Sequence, residues 1–127
     1  MNAKKDILFY AAGATTAIAG IIHLILGIDT ENLNTQILFV VGGLAQMFWV
    51  LPMIRKWGKV WYLVGISGTV VLIAIWVITR IPDNPITGRG GRINENGILV
   101  VEVFQIAFVA IAIVILAVEK RRLATKN

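Results

Sequence analysis

The run ILVVEVFQIAFVAIAIVILAV, residues 98–118, sets the class of fold, because its 21 residues include one charged side chain, Glu102. A helix needs about 20 apolar residues to cross a hydrocarbon core about 30 Å thick. Three further apolar runs of similar length precede it, at residues 7–28, 36–54 and 60–79. The sequence therefore predicts an all-α, polytopic membrane protein, with four transmembrane helices forming an antiparallel bundle as one domain, residues 1–127.

The composition indicates the same class of protein. Of the 127 residues, 57% are hydrophobic and 15% are charged, and the mean hydropathy is +0.80. A soluble domain of this size cannot hide so much apolar surface in one core. Cysteine is absent, which excludes disulfides, thiolate metal sites and Fe–S clusters within the chain.

The basic residues predict the orientation and the surroundings of the bundle. With four spans, both chain ends lie on one side, which then holds nine Lys and Arg residues against three on the other. The three are Arg80, Arg89 and Arg92. The positive-inside rule predicts that both termini lie in the cytoplasm. The net charge is +5, and the basic residues lie beside helix ends, where they suit anionic lipid headgroups. No nucleic-acid partner is therefore predicted.

Residues 80–97 predict one long, ordered outer loop between helices three and four. Pro82 and Pro85 restrict its backbone, and its glycines permit tight turns. Ordered loops of this length are commonly functional. Three isoleucines are spaced through it as candidate apolar anchors onto the bundle, namely Ile81, Ile86 and Ile93.

Small and polar residues recur inside the apolar runs at helical spacing. One face of helix one carries Gly13, Thr16, Gly20, His23 and Gly27, which predicts a packing seam. A rise of 1.5 Å per residue puts His23, Glu102 and Gln105 about 6 to 10 Å inside the outer surface, with Gln46 about 15 Å deep. The candidate polar cluster is His23, Gln46, Trp76, Arg80, Glu102 and Gln105.

Two interpretations of this cluster stay open. An ionisable group at the centre of a membrane helix costs about 2.5 to 3.5 kcal/mol, so both Glu102 and His23 need partners. In the first interpretation the cluster is structural, and loop-to-bundle ion pairs connect its carboxylates with the outer arginines. The residues of that network are Glu102, His23, Arg80, Asp83, Arg89 and Arg92.

The second interpretation makes His23 and Glu102 metal ligands, since imidazole and carboxylate suit copper, zinc or iron. Two ligands do not complete a site, so such a metal would need ligands from another chain. No complete cofactor motif occurs in the sequence, and no cofactor is predicted.

Four features resemble a broad group of small prokaryotic four-helix integral membrane proteins without an assigned activity. They are His23, GGLAQMFW at residues 42–49, WVITRIPDNPITG at residues 76–88, and Glu102. The group pattern is a His in helix one, a Gln near a Trp in helix two, then Trp and Thr-Arg before a Gly-Pro or Asn-Pro turn. Here Pro-Asp-Asn-Pro replaces the commoner Gly-Pro form. The resemblance implies the architecture, the choice of residues and a prokaryotic cell membrane, and it implies no activity.

Three classes of function follow as hypotheses. The leading one is an accessory or structural subunit, without catalysis of its own, in a larger membrane complex such as a respiratory or metal-dependent oxidase or monooxygenase. Its partners would be other membrane subunits or copies of itself, because Gly- and Ala-rich faces suit helix association. The alternative is an oligomeric transporter or ligand-binding protein whose outer-leaflet pocket favours an anionic solute. The third is an enzyme acting on a lipid or quinone there.

Overall fold

The computed structural model describes residues 3–88, 90–92 and 97–127, and they form four α-helices. In chain order these are α1 (Ala3–Asp29), α2 (Leu33–Ile54), α3 (Lys59–Thr79) and α4 (Ile98–Lys126). All four are long and apolar enough to cross a membrane, and the described residues contain no strand. The predicted all-helical chain with four apolar, membrane-length helices is confirmed.

The helices run further than the apolar runs that predicted them. α1 begins four residues before the predicted residue 7, and α4 continues from residue 118 to Lys126. The added residues are rich in Lys, Arg, Glu and Ala, which favour helix in water as well as in lipid. α2 begins at Leu33 because Asn32 caps it, its Oδ1 accepting the Thr35 N–H at 3.0 Å. Hydropathy alone marks none of these ends.

α1 packs most extensively against α2, along the seam that the glycine spacing predicts. All five seam residues of α1 are buried. A Cβ built on Gly20 would lie 2.9 Å from the carbonyl oxygen of Gly43, and one built on Gly43 would lie 2.9 Å from that of Gly20. The two backbones therefore meet at a separation that only glycine permits.

One end of the bundle, called here the terminal end, carries both ends of the chain and the α2–α3 connection. Lys5 lies 3.4 Å from Glu119, and Lys56 forms an ion pair with Asp6. Below these pairs Phe9, Tyr62, Phe108 and neighbouring residues form a buried cluster. The opposite end, called the loop end, carries the α1–α2 connection and the segment between α3 and α4.

The outward surfaces of the helices are apolar. Many Ile, Val and Leu side chains are exposed on all four helices, for example Ile25, Val41, Val71 and Val103. The remaining contacts are uneven, since α4 packs against α1 and α3, whereas α2 and α3 touch far less. The sparse α2–α3 contact leaves open space between these two helices.

Candidate binding site

A cavity of about 230 Å³ lies at the loop end and is lined by residues of all four helices and of both connections. We call it the loop-end cavity. Its polar and aromatic wall includes His23, Thr35, Phe39, Trp76, Thr79 and Arg80. Within the described part of the chain, no aspartate or glutamate lines it. The described wall of the cavity therefore presents a cation together with hydrogen-bonding groups.

His23 and Gln46 form a buried pair between α1 and α2. His23 Nδ1 lies 2.6 Å from Gln46 Oε1. Because the amide oxygen can only accept, Nδ1 carries a proton and donates it, which leaves Nε2 as the ring atom that Gln46 does not use. The Thr16 hydroxyl donates to the Gln46 carbonyl oxygen at 3.0 Å. Gln46 thus fixes the position of the His23 ring from a neighbouring helix.

Trp76 and Arg80 lie one turn apart at the end of α3. The guanidinium carbon of Arg80 lies 5.8 Å from the centroid of the Trp76 ring, which is cation–π geometry. Arg80 Nη2 donates to Thr79 Oγ1 at 3.1 Å, and Nη1 donates to the Arg92 carbonyl oxygen. The Trp76 Nε1–H is buried and has no hydrogen-bond partner among the described residues. The wall residues therefore include a cation, and Trp76 carries a buried donor that no described residue satisfies.

Glu102 and Gln105 are buried on one face of α4 but lie outside the wall of the cavity. Glu102 Oε2 and both amide atoms of Gln105 have no hydrogen-bond partner in the described part of the chain. The structure thus brings His23, Trp76 and Arg80 to one cavity, with Gln46 bonded to His23, and leaves Glu102 and Gln105 outside its wall.

The described loop residues contact the bundle through hydrogen bonds. Among the residues that the structure describes, Asp83 and Arg92 take part in no side-chain ion pair, and Arg92 contributes only its carbonyl group to Arg80. Arg89 and Ile93, which the sequence suggested for ion pairing and for anchoring, lie outside the described residues. Asn34 Nδ2 donates to the Ile86 carbonyl oxygen at 2.9 Å and so joins α2 to the loop.

Asn84 organises this loop, a role that the sequence reasoning missed. It is 4% exposed, its Oδ1 accepts the N–H groups of Ile86 at 3.0 Å and Thr87 at 2.8 Å, and its Nδ2 donates to the Ile81 carbonyl oxygen at 3.0 Å. Ile81, expected as an apolar anchor, is 54% exposed. The signal was present, because an Asn side chain readily bonds the backbone two residues on and so forms a turn.

Replacement of Asn84 with alanine is expected to loosen the loop without unfolding the helices. The lost bonds amount to about 1 to 2 kcal/mol, because water at this end of the bundle replaces part of them. Amide hydrogen exchange at Ile86 and Thr87 should accelerate, whereas exchange in α2 should not change. Asp83→Asn is the matched control, since it removes a neighbouring charge and keeps a residue that tolerates the φ of +55° found there. Unchanged exchange in Asn84→Ala would contradict the assigned role.

A metal at this site lacks a third ligand within the described chain. Across residues 3–88, 90–92 and 97–127, no group of three His, Cys, Asp or Glu side chains could hold an ion. A metal held by His23 and Glu102 would thus need further ligands from outside the described residues. That hypothesis stays a prediction.

Comparisons of the chain with models of known families, with curated proteins and with solved structures find no match. The resemblance to small prokaryotic membrane proteins therefore stays a prediction.

Proposed function

We propose that the four helices cross a prokaryotic cell membrane as an antiparallel bundle, with both termini in the cytoplasm and the loop end outside. The exposed Ile, Val and Leu side chains of every helix support insertion, because lipid is the solvent that suits them. The seam supports the antiparallel order, since Gly13 meets Ile54 while Gly27 meets Val40. As α1 advances, its partners on α2 move backward along the sequence.

In this bundle the loop-end cavity binds a small anionic ligand. The observation that carries this proposal is that Arg80 and Trp76 line one polar cavity, and that the buried Trp76 Nε1–H has no hydrogen-bond partner among the described residues. Glu102 is buried on α4 outside the wall of that cavity. Charge-assisted hydrogen bonds are stronger than neutral ones, and the low dielectric of a membrane site strengthens them further.

Titration with butyrate and with inorganic phosphate tests this function, using the protein in nanodiscs of neutral phosphatidylcholine. Trp76→Phe should weaken binding about three- to tenfold, the worth of one neutral hydrogen bond. Isothermal calorimetry measures the change. Trp57→Phe is the matched control, because Trp57 lies at the terminal end and should leave affinity unchanged. If the unaltered protein binds neither anion, the proposed function is wrong.

The accessory-subunit hypothesis remains a second prediction. It requires a stable heteromeric or homomeric complex in the native membrane. Native mass determination after gentle solubilisation tests it, and migration as a single copy would contradict it. Ligand binding and complex formation can then be assigned separately.

A further inference from the structure

A second cavity, of about 360 Å³, lies between α2 and α3, which pack against each other only sparsely. We call it the α2–α3 groove. Its wall is almost wholly apolar and includes Val41, Ala45, Val64 and Gly68. A Cβ built on Gly68 would meet nothing within 4 Å, so the groove has free space beside this residue.

The loop-end cavity and the α2–α3 groove are contiguous. Leu38, Leu72 and Ile75 line both. One stripe of α3 runs past both at helical spacing, from Gly68 through Leu72 to Trp76 and Arg80. A polar, cationic cavity therefore adjoins an apolar groove along one helix.

We infer that the ligand is an amphiphile with one apolar chain and a carboxylate or phosphate head. The head lies beside Arg80 and Trp76, and the chain lies in the α2–α3 groove. This inference rests on the proposed function and names the class of its ligand. A polar cavity beside an apolar groove suits a molecule with a charged head and an apolar chain. A solute without a chain would leave the groove unused.

The position of the groove favours a chain over a helix. An extended hydrocarbon chain attached to an anionic head occupies the groove and the neighbouring loop-end cavity at once. A helix of a second copy would account for the groove alone and would leave the polar cavity unexplained.

The head of the ligand is tested with three molecules that share one chain length. Palmitate, hexadecyl phosphate and hexadecyltrimethylammonium are each titrated against the protein in phosphatidylcholine nanodiscs. The two anions should bind at least about tenfold more tightly than the cation, a difference of about 1.4 kcal/mol. A preference between the anions identifies the carboxylate or the phosphate as the natural head. Equal binding of all three would overturn the assignment of the head.

The chain is tested by filling the groove. Gly68→Leu places a side chain in the free space of the groove, whereas Ala74→Leu adds the same side chain at an exposed position of α3 outside it. Gly68→Leu should lower palmitate affinity about tenfold, or about 1.4 kcal/mol, and should leave butyrate binding unchanged. Ala74→Leu should change neither. Both variants see the same bilayer, so partition of palmitate into lipid cancels from the comparison.

The outcomes separate this inference from the proposed function. Butyrate binding with palmitate affinity unaffected by Gly68→Leu would overturn the inference and keep the proposed function. Absence of binding by every anion would overturn both. A dimer in native mass spectra that Gly68→Leu abolishes, with palmitate affinity unchanged, would assign the groove to a second copy and overturn the inference.

Discussion

Gly20→Leu is expected to separate α1 from α2 and to lower the free energy of unfolding by about 3 kcal/mol or more. Overpacking a core usually costs about 1 to 3 kcal/mol, because neighbouring side chains can move aside. Here the obstacle is backbone: a Cβ on Gly20 would lie 2.9 Å from the Gly43 carbonyl oxygen and 3.1 Å from the Met47 nitrogen. The loss of stability is measured by heating the protein in detergent and quantifying the remaining folded fraction by size-exclusion chromatography.

The matched control is Gly68→Leu, the same substitution on a helix face where a Cβ meets nothing within 4 Å. It removes a glycine from a helix interior, so its intrinsic effect on helix stability is slightly favourable. The two variants therefore separate lost packing from the general effect of adding leucine. Equal unfolding temperatures for both variants would show that the α1–α2 seam is not as close as described.

The sequence could predict this seam because it depends on local spacing. Gly13, Gly20 and Gly27 recur every seven residues, which keeps them on one side of a helix, and small residues allow close packing in lipid. The membrane-length helices were predictable for a similar reason, since hydropathy over 20 residues belongs to one segment alone. Both properties lie within a single helix.

The sequence could not predict which side chains of different helices face the same cavity, or which helices pack closely. Depth counting put Glu102 and Gln105 at the level of His23, but depth says nothing about the angle around the bundle, and both lie outside the cavity wall. The α2–α3 groove depends on which helix pairs pack closely, and no single run of sequence records that. The sequence signals a turn at Asn84, but which backbone groups its side chain bonds depends on the loop conformation.

His23→Leu is expected to cost about 2 to 3 kcal/mol, because it leaves the Gln46 amide oxygen buried without its donor. Gln46→Leu should cost a similar amount by removing the acceptor of His23 Nδ1. The double variant should lose about 1 to 2 kcal/mol less stability than the sum of the two single losses, since no polar partner is then left behind. Thermal unfolding of all four proteins in identical detergent gives this coupling energy.

The double variant also distinguishes a structural pair from a binding group. A purely structural pair can be replaced by two leucines that keep α1 against α2, and butyrate binding would then survive. Because His23 itself lines the loop-end cavity, we expect the folded double variant to bind butyrate about three- to tenfold more weakly, the worth of one hydrogen bond. Gln46→Leu alone keeps His23 in the wall and should bind better than the double variant. Full affinity in the double variant would remove His23 from the binding site and leave it the role of joining two helices.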